Sequence, residues 1–331
     1  MKNPLNDLYA RLKEAGLGRE FVRERLLPDW WDDSLASVPA NRALAELTIA
    51  QLLGLRVADL RNPDAKLSLK PARDYRLKHP KGVTPLEVRP AVAIAERVAD
   101  LVGQRAKELP AFSGTQSARF IRDEITKTGY VNLNSLVRFC WDHGIAVAHL
   151  DLKGLQARKF HGMALHPRRN PVIVLAYGID SPPWLAFHLA HEMGHIMCAH
   201  LKPGGDSLVD ANIEVKAGAG DEENEANLFA MEVLTGERNL SFSPEYGLTA
   251  HKLARAASAY GATHGIDPAT CVLIYGKSTN RWPVAEKALG LMGELRGAQD
   301  TICKALTEHL DLQDLDEPVE RFLSCLSIQL V

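Results

Sequence analysis

The string His191-Glu192-Met193-Gly194-His195 constrains this chain more than any other stretch. An α-helix advances about 100° per residue, so histidines four apart stand about 40° apart around the axis and one turn apart along it. Both imidazoles then face one point, and the carboxylate between them reaches a water held there. Two neutral nitrogen donors beside a carboxylate are what a catalytic zinc ion requires of a helix. The flanks favour that helix. Ser181-Pro182-Pro183 offers a capping hydroxyl and first-turn prolines, and Trp184 to Ala190 is largely apolar. The helix is predicted to run to about His200, with Pro203-Gly204-Gly205 ending it. The bland alternative is a pair of core histidines that happen to sit one turn apart.

A catalytic zinc ion usually takes three protein ligands and keeps one open position. The segment Asp221-Glu222-Glu223-Asn224-Glu225-Ala226-Asn227-Leu228-Phe229-Ala230 supplies candidates for the third. It predicts a second helix, acidic at the dipole's positive end and apolar beyond. Some of these acids only favour the helix start. Glu223 and Asn227 share a face, so a Glu223 ligand with an Asn227 amide oxygen steadying a ligating histidine is a sensible pair. Glu225 points roughly 200° from Glu223, so both cannot face one metal. Glu223 is preferred, with Glu225 as the alternative.

HEMGH followed by Glu223-x-Glu225-Ala226-Asn227-x-Phe229-Ala230 resembles the ImmA/IrrE family of zinc metallopeptidases. Gly144-Ile145-Ala146-Val147, Gly162-Met163-Ala164 and Pro171 to Leu175 resemble the strands before that family's active-site helix, and Gly265-Ile266-Asp267-Pro268 extends the likeness downstream. The resemblance covers about residues 115–290. It implies zinc (Zn2+) bound by His191, His195 and Glu223, with Glu192 as general base. It also implies an intracellular protease of the kind that cleaves repressors of mobile elements or of DNA-damage responses, often with a helix-turn-helix domain in or beside the chain.

Neighbouring donors are weighed against these. Helical rise puts His188 about 10 Å from His195, and Cys198 about 10 Å from His191, so packing is the better role for each. His200 projects about 140° from His195 on a continued helix and reads as a helix-end residue. His161, Arg168, Tyr260 and His264 are candidates by type for stabilising a developing oxyanion.

Composition sets outer limits. A chain of 331 residues predicts two or three domains. Net charge is −2, so nothing global points to nucleic acid or membrane. The five cysteines are odd in number and widely spaced, which predicts reduced thiols and a cytoplasmic protein. The polar N-terminus predicts no signal peptide, and no apolar run is long enough to span a bilayer.

Along the chain, residues 5–27 predict short helices broken at Gly16-Leu17-Gly18, and Leu27 to Trp31 a turn anchored by tryptophan. Residues 39–54 predict a helix with apolar positions at Leu44, Leu47, Ile49, Ala50 and Leu53, with another turn from Val57 to Leu60. Ala50, Gly54 and Leu60 give this pair a faint helix-turn-helix look, cut short at Asn62-Pro63. Residues 66–81 hold six basic residues against Asp74 and predict a solvated linker, with a phosphate-binding patch as the sharper alternative. Further helices are predicted at 90–108, 116–128, 132–142, 248–260 and 268–276, and one long helix or two over 281–310. Strands are predicted at 145–150, 162–166 and 171–177. The tail from Asp314 carries an amphipathic stretch with Phe322, Leu323 and Leu326.

These readings predict an α+β, mostly helical fold. By resemblance its core is zincin-like, with a small three-stranded sheet packed on the HExxH helix and a substrate strand added at the sheet edge. The expected domains are a helical 1–112, a peptidase 113–280 and a helical 281–331. The expected function is a zinc-dependent metalloendopeptidase acting on a protein substrate, which the resemblance implies is a transcriptional repressor in a stress, mobile-element or phage-defence response. The alternative is a DNA- or partner-binding regulator in which the peptidase site is a sensor or relic.

Overall fold

The computed structural model describes residues 5–78, 84–106, 109–157, 159–167, 169–176, 178–201, 207–210, 221–311 and 317–326. The fold is α+β and mostly helical. It opens with α1 (Asn6–Glu14) and a short α2 (Arg19–Phe21) that widens into a π turn at Val22–Leu26. Gly16, at φ 93°, turns the chain between them. A 3-10 turn, Asp33–Ser37, precedes α3 (Pro39–Leu53) and α4 (Val57–Arg61). Trp31 is buried as an anchor, but Trp30 is 61% exposed. On α3 the buried side is Ala45, Thr48, Ile49 and Leu52, while Leu44 and Leu47 lie in solvent. Apolar residues occur on several sides of this helix, so their spacing does not select the buried one.

The helix-turn-helix look ends at α4. That helix has five residues, and its C-terminal carbonyls are plugged. The buried Arg11 guanidinium donates to Asp59 O, Leu60 O and Asn62 O, a favourable place for a cation. Arg61 pairs with Glu46 at 2.8 Å.

The predicted linker instead carries a strand, β1 (Tyr75–Lys78). Leu67 and Leu69 before it are buried. Arg73 pairs with Asp100 at 2.8 Å on α5 (Pro85–Arg105), which starts earlier than predicted behind a Thr84/Glu87 capping box. Glu96 of α5 is buried. Its carboxylate accepts from Ala72 N, Arg73 N and Ser207 Oγ, fixing the chain as it enters β1 and a second distant strand.

Next come α6 (Ala118–Ile125), α7 (Leu133–Asp142), β2 (Ala146–His149), β3 (Gly162–Leu165), β4 (Val172–Leu175), α8 (Pro182–Met197), β5 (Ser207–Asp210) and α9 (Asp221–Thr235). Among the described residues the sheet has five strands where three were expected, in the order β1-β5-β3-β4-β2. The three predicted strands lie where expected. β1 and β5 are four-residue segments whose partners are remote in sequence, so local pattern gives no sign of them. β3 runs antiparallel to both β4 and β5, so the strand packed on α8 is interior rather than an edge.

The chain closes with α10 (Ala250–His264), α11 (Pro268–Thr279), α12 (Trp282–Met292), α13 (Ala298–His309) and α14 (Glu317–Leu326). Residues 281–310 thus form two helices, parted by Gly293 and Gly297 at positive φ. The main buried apolar cluster runs from Leu5 to Phe322 and Leu323, taking side chains from each of the three expected segments. A second cluster joins α10, α11 and α12. Arg122 of α6 donates to Val233 O and Leu234 O at the end of α9 and to Gly265 O after α10. Among the described residues, no helix is long and apolar enough to cross a membrane.

Candidate metal centre

α8 is apolar on nearly every side and buried on nearly every side. Its own Leu185, Ala186, Leu189, Ala190, Met193 and Ile196 are all buried, as on a helix at the centre of a fold. Pro182 and Pro183 begin it. The Ser181 hydroxyl does not cap it; it donates to Glu294 O at 2.6 Å, tying the helix start to the C-terminal helices. Asp180 accepts from Gly297 N and Gln299 N, holding the start of α13 at the same corner.

Two glycines set how closely α8 is approached. A Cβ on Gly194 would stand 3.0 Å from Ala226 Cα, so the small pair Gly194 and Ala226 lets α9 lie against α8. A Cβ on Gly162 would stand 2.2 Å from Glu192 Oε1, so β3 passes directly over the Glu192 carboxylate.

The contact of α8 with α9 at Gly194 and Ala226 brings three donors together. His191 Nε2 and His195 Nε2 are 3.1 Å apart. Glu223 Oε1 lies 3.3 Å from His195 Nε2, and Oε2 lies 3.6 Å from His191 Nε2. Ligands about 2.0–2.1 Å from a shared tetrahedral centre stand about 3.3–3.4 Å from one another. The observed edges bracket that value, and the set is two imidazoles and a carboxylate. His191, His195 and Glu223 therefore fit a metal ion and could hold one.

Burial holds His195 down to about 4, so its ring is neutral near pH 7 and has a lone pair to give. At Glu223 burial pushes the carboxyl up, but the contacts with His191 and His195 outweigh it and hold the group below its ordinary range. A neutral His195 and an ionised Glu223 are the forms in which each has a lone pair to give.

Glu192 and Asn227 are both buried. Asn227 lies one turn beyond Glu223, and its Oδ1 accepts no hydrogen bond among the described residues. His188 lies outside the converging trio, edge-on to His161 with ring centroids 5.3 Å apart. Burial lowers both, His161 to about 4. Tyr260 and His264 stack on each other on α10, and Tyr260 lines a separate cavity with Phe242 and Tyr275. Arg168 lies outside the described residues.

His200 is placed differently from its helical projection. α8 stops at Met197, and Ala199 adopts φ 58°. His200 N then bonds back to His195 O at 3.0 Å, and Ala199 N to Ile196 O at 3.1 Å. This is a Schellman ending with alanine in the place glycine usually takes. It folds His200 back so that its Nδ1 lies 2.9 Å from His195 Nδ1. Its Nε2 lies 3.0 Å from Glu225 Oε2. Glu225 therefore faces His200 rather than the trio. The roles of His200 and Gly162 have no signal in local spacing.

Residues 140–266 match the family model described as the IrrE N-terminal-like domain, Peptidase_M78. The matched span runs from the end of α7 through the sheet strands β2 to β5, α8, α9 and α10, and so holds every residue of the trio together with Glu192. It is narrower than the resemblance read from the motifs. The M78 match makes this segment metallopeptidase-like and accords with the ImmA/IrrE likeness. No curated protein matches the chain.

Proposed function

We propose that the chain is a zinc-dependent metalloendopeptidase that hydrolyses a peptide bond in a protein substrate. The observation that carries this is the spacing of the His191, His195 and Glu223 donor atoms beside a buried Glu192. Zinc bound in such a set supplies Lewis acidity, polarising a carbonyl and making water a nucleophile near neutral pH. His191 and His195 give Nε2 lone pairs, and Glu223 gives a carboxylate oxygen and a compensating negative charge. Glu192 takes a proton from the attacking water and hands it to the departing amide nitrogen. Water is kept from the back of the site by the packed residues of α8 and by β3.

The substrate class that the resemblance implies, a transcriptional repressor, belongs to this proposal, as does action in a reducing, cytoplasmic compartment. The described cysteines whose side chains are placed, Cys140, Cys198, Cys271 and Cys303, are free thiols, which supports the second point. The basic residues of the N-terminal segment lend less to a nucleic-acid reading, because Arg61, Arg73 and Arg76 all pair with carboxylates.

The test compares new protein N-termini in a cell extract treated with the zinc-loaded wild type and with His195→Ala. The proposal expects a defined set of termini that the variant does not produce. Identical sets from both would overturn it.

A further inference from the structure

Outside the trio, the described residue groups whose donors converge are Cys198, His200 and Glu225. The sequence offers Glu225 as an alternative third ligand and His200 as a helix-end residue; their hydrogen bonds give them a different place. His195 Nδ1 lies 2.9 Å from His200 Nδ1, and His200 Nε2 lies 3.0 Å from Glu225 Oε2. The His200 side chain is 6% exposed, so this chain of contacts runs from a buried ring to a surface carboxylate.

A neutral imidazole carries one proton, on one nitrogen or the other. If His195 gives its Nε2 lone pair to a metal, its proton sits on Nδ1. That N–H then donates to His200 Nδ1, which must be the bare nitrogen of its ring. The His200 proton is therefore on Nε2, and it donates to the Glu225 carboxylate. Each choice forces the next, and every donor meets an acceptor. Run the other way, with a proton on His195 Nε2, the row would point a donor at the place where a cation belongs.

We propose that Glu225 and His200 form a relay that positions His195 as a ligand, fixing its tautomer and ring orientation. The proposal rests on the reading of His191, His195 and Glu223 as a metal site. Glu225 acts through His200 and touches neither metal nor substrate. Outer partners of ligating histidines usually have this effect, and their loss costs roughly 10–100-fold in metal affinity.

The backbone supports the relay at its turn. Arg76 of β1 donates to His200 O and, with Nη1 3.1 Å from both carboxylate oxygens, to Glu222 at the start of α9. A strand from the N-terminal segment, outside the matched span, thus holds the corner on which His200 turns.

Zinc affinity of the full chain, measured by competition with a chromophoric chelator, tests this. The variants are Glu225→Ala, His200→Ala and the double variant, with His195→Ala as reference. Glu225 is a surface residue, so Glu225→Ala should leave the fold intact. Each single variant is expected to bind zinc about 10-fold or more weakly than wild type. The double variant should be no weaker than the worse single one, because the two residues act as one chain. The d–d spectrum of cobalt(II)-loaded protein should shift in each.

Wild-type affinity and an unchanged cobalt spectrum in both single variants would overturn the relay. So would a second zinc ion lost on Cys198→Ala, which would make this cluster a metal site of its own. A wild type that binds no zinc fails the underlying metal reading instead.

Discussion

Gly162 and Glu192 occupy adjoining space: a Cβ on the glycine would lie 2.2 Å from the glutamate Oε1 and 2.8 Å from its carboxyl carbon. The strand is thus bare at the one point where it covers the proposed base. Gly162→Ala should displace the carboxylate while leaving the three metal donors in place. We expect kcat to fall by about 100-fold or more, the scale of general base catalysis, with zinc content unchanged. Equal kcat in the alanine variant would mean that the carboxylate has room to move without consequence.

Gly194 has a structural counterpart in Ala226, whose Cα lies 3.0 Å and O 3.1 Å from a Cβ placed on the glycine. Backbone cannot yield as a flexible side chain does. Gly194→Val is expected to cost about 1–3 kcal/mol in unfolding free energy as an overpacked contact. It should also weaken zinc binding, because Glu223 rides on α9. Denaturant titration and chelator competition read the two effects separately.

Burial holds His195 and His161 each down to about 4, against about 6.5 for an unfolded histidine. Between those values the unfolded chain binds protons that the folded chain does not. The stability contribution is therefore whole above about pH 6.5 and falls as pH drops, levelling below about 4. The metal-free protein should lose stability across this window, by at most about 3 kcal/mol per histidine. Urea unfolding at pH 7.5, 6 and 5 should show a steady decline; constant stability from 7.5 to 5 would contradict the burial account.

Glu96 offers a test of the strands that the sequence concealed. Its buried carboxylate satisfies Ala72 N, Arg73 N and Ser207 Oγ. Glu96→Ala leaves these donors without their acceptor, at a cost of about 1–3 kcal/mol for a buried group so stranded. Faster amide exchange at β1 and β5 than at β2 and β4 should accompany it.

What was legible in the sequence is what rests on helical spacing. His191 and His195 meet because they are four apart on one helix, and Glu223 meets them because its helix has a small residue where Gly194 needs one. The strands β2 and β4 were legible from short apolar runs with β-branched residues between turns, whereas β3 (Gly162–Leu165) holds no β-branched residue and was legible from its likeness to the family's strand. β1 was hidden in a basic segment, since four residues carry no period and its partner, β5, lies far along the chain. His200 was misplaced for a different reason. Projection assumes a continuing helix, and Ala199 leaves it at positive φ without the glycine that would announce the turn. Gly162 could not be singled out, because nothing local links it to Glu192.

The central claim is that Glu192 is the base of a peptidase whose metal it does not bind. The most direct measurement is the cleavage rate of one verified protein substrate by zinc-loaded wild type and by zinc-loaded Glu192→Gln. The account predicts equal zinc content in the two proteins and a rate lower by about 100-fold or more in the variant. Equal rates at equal zinc content would contradict it.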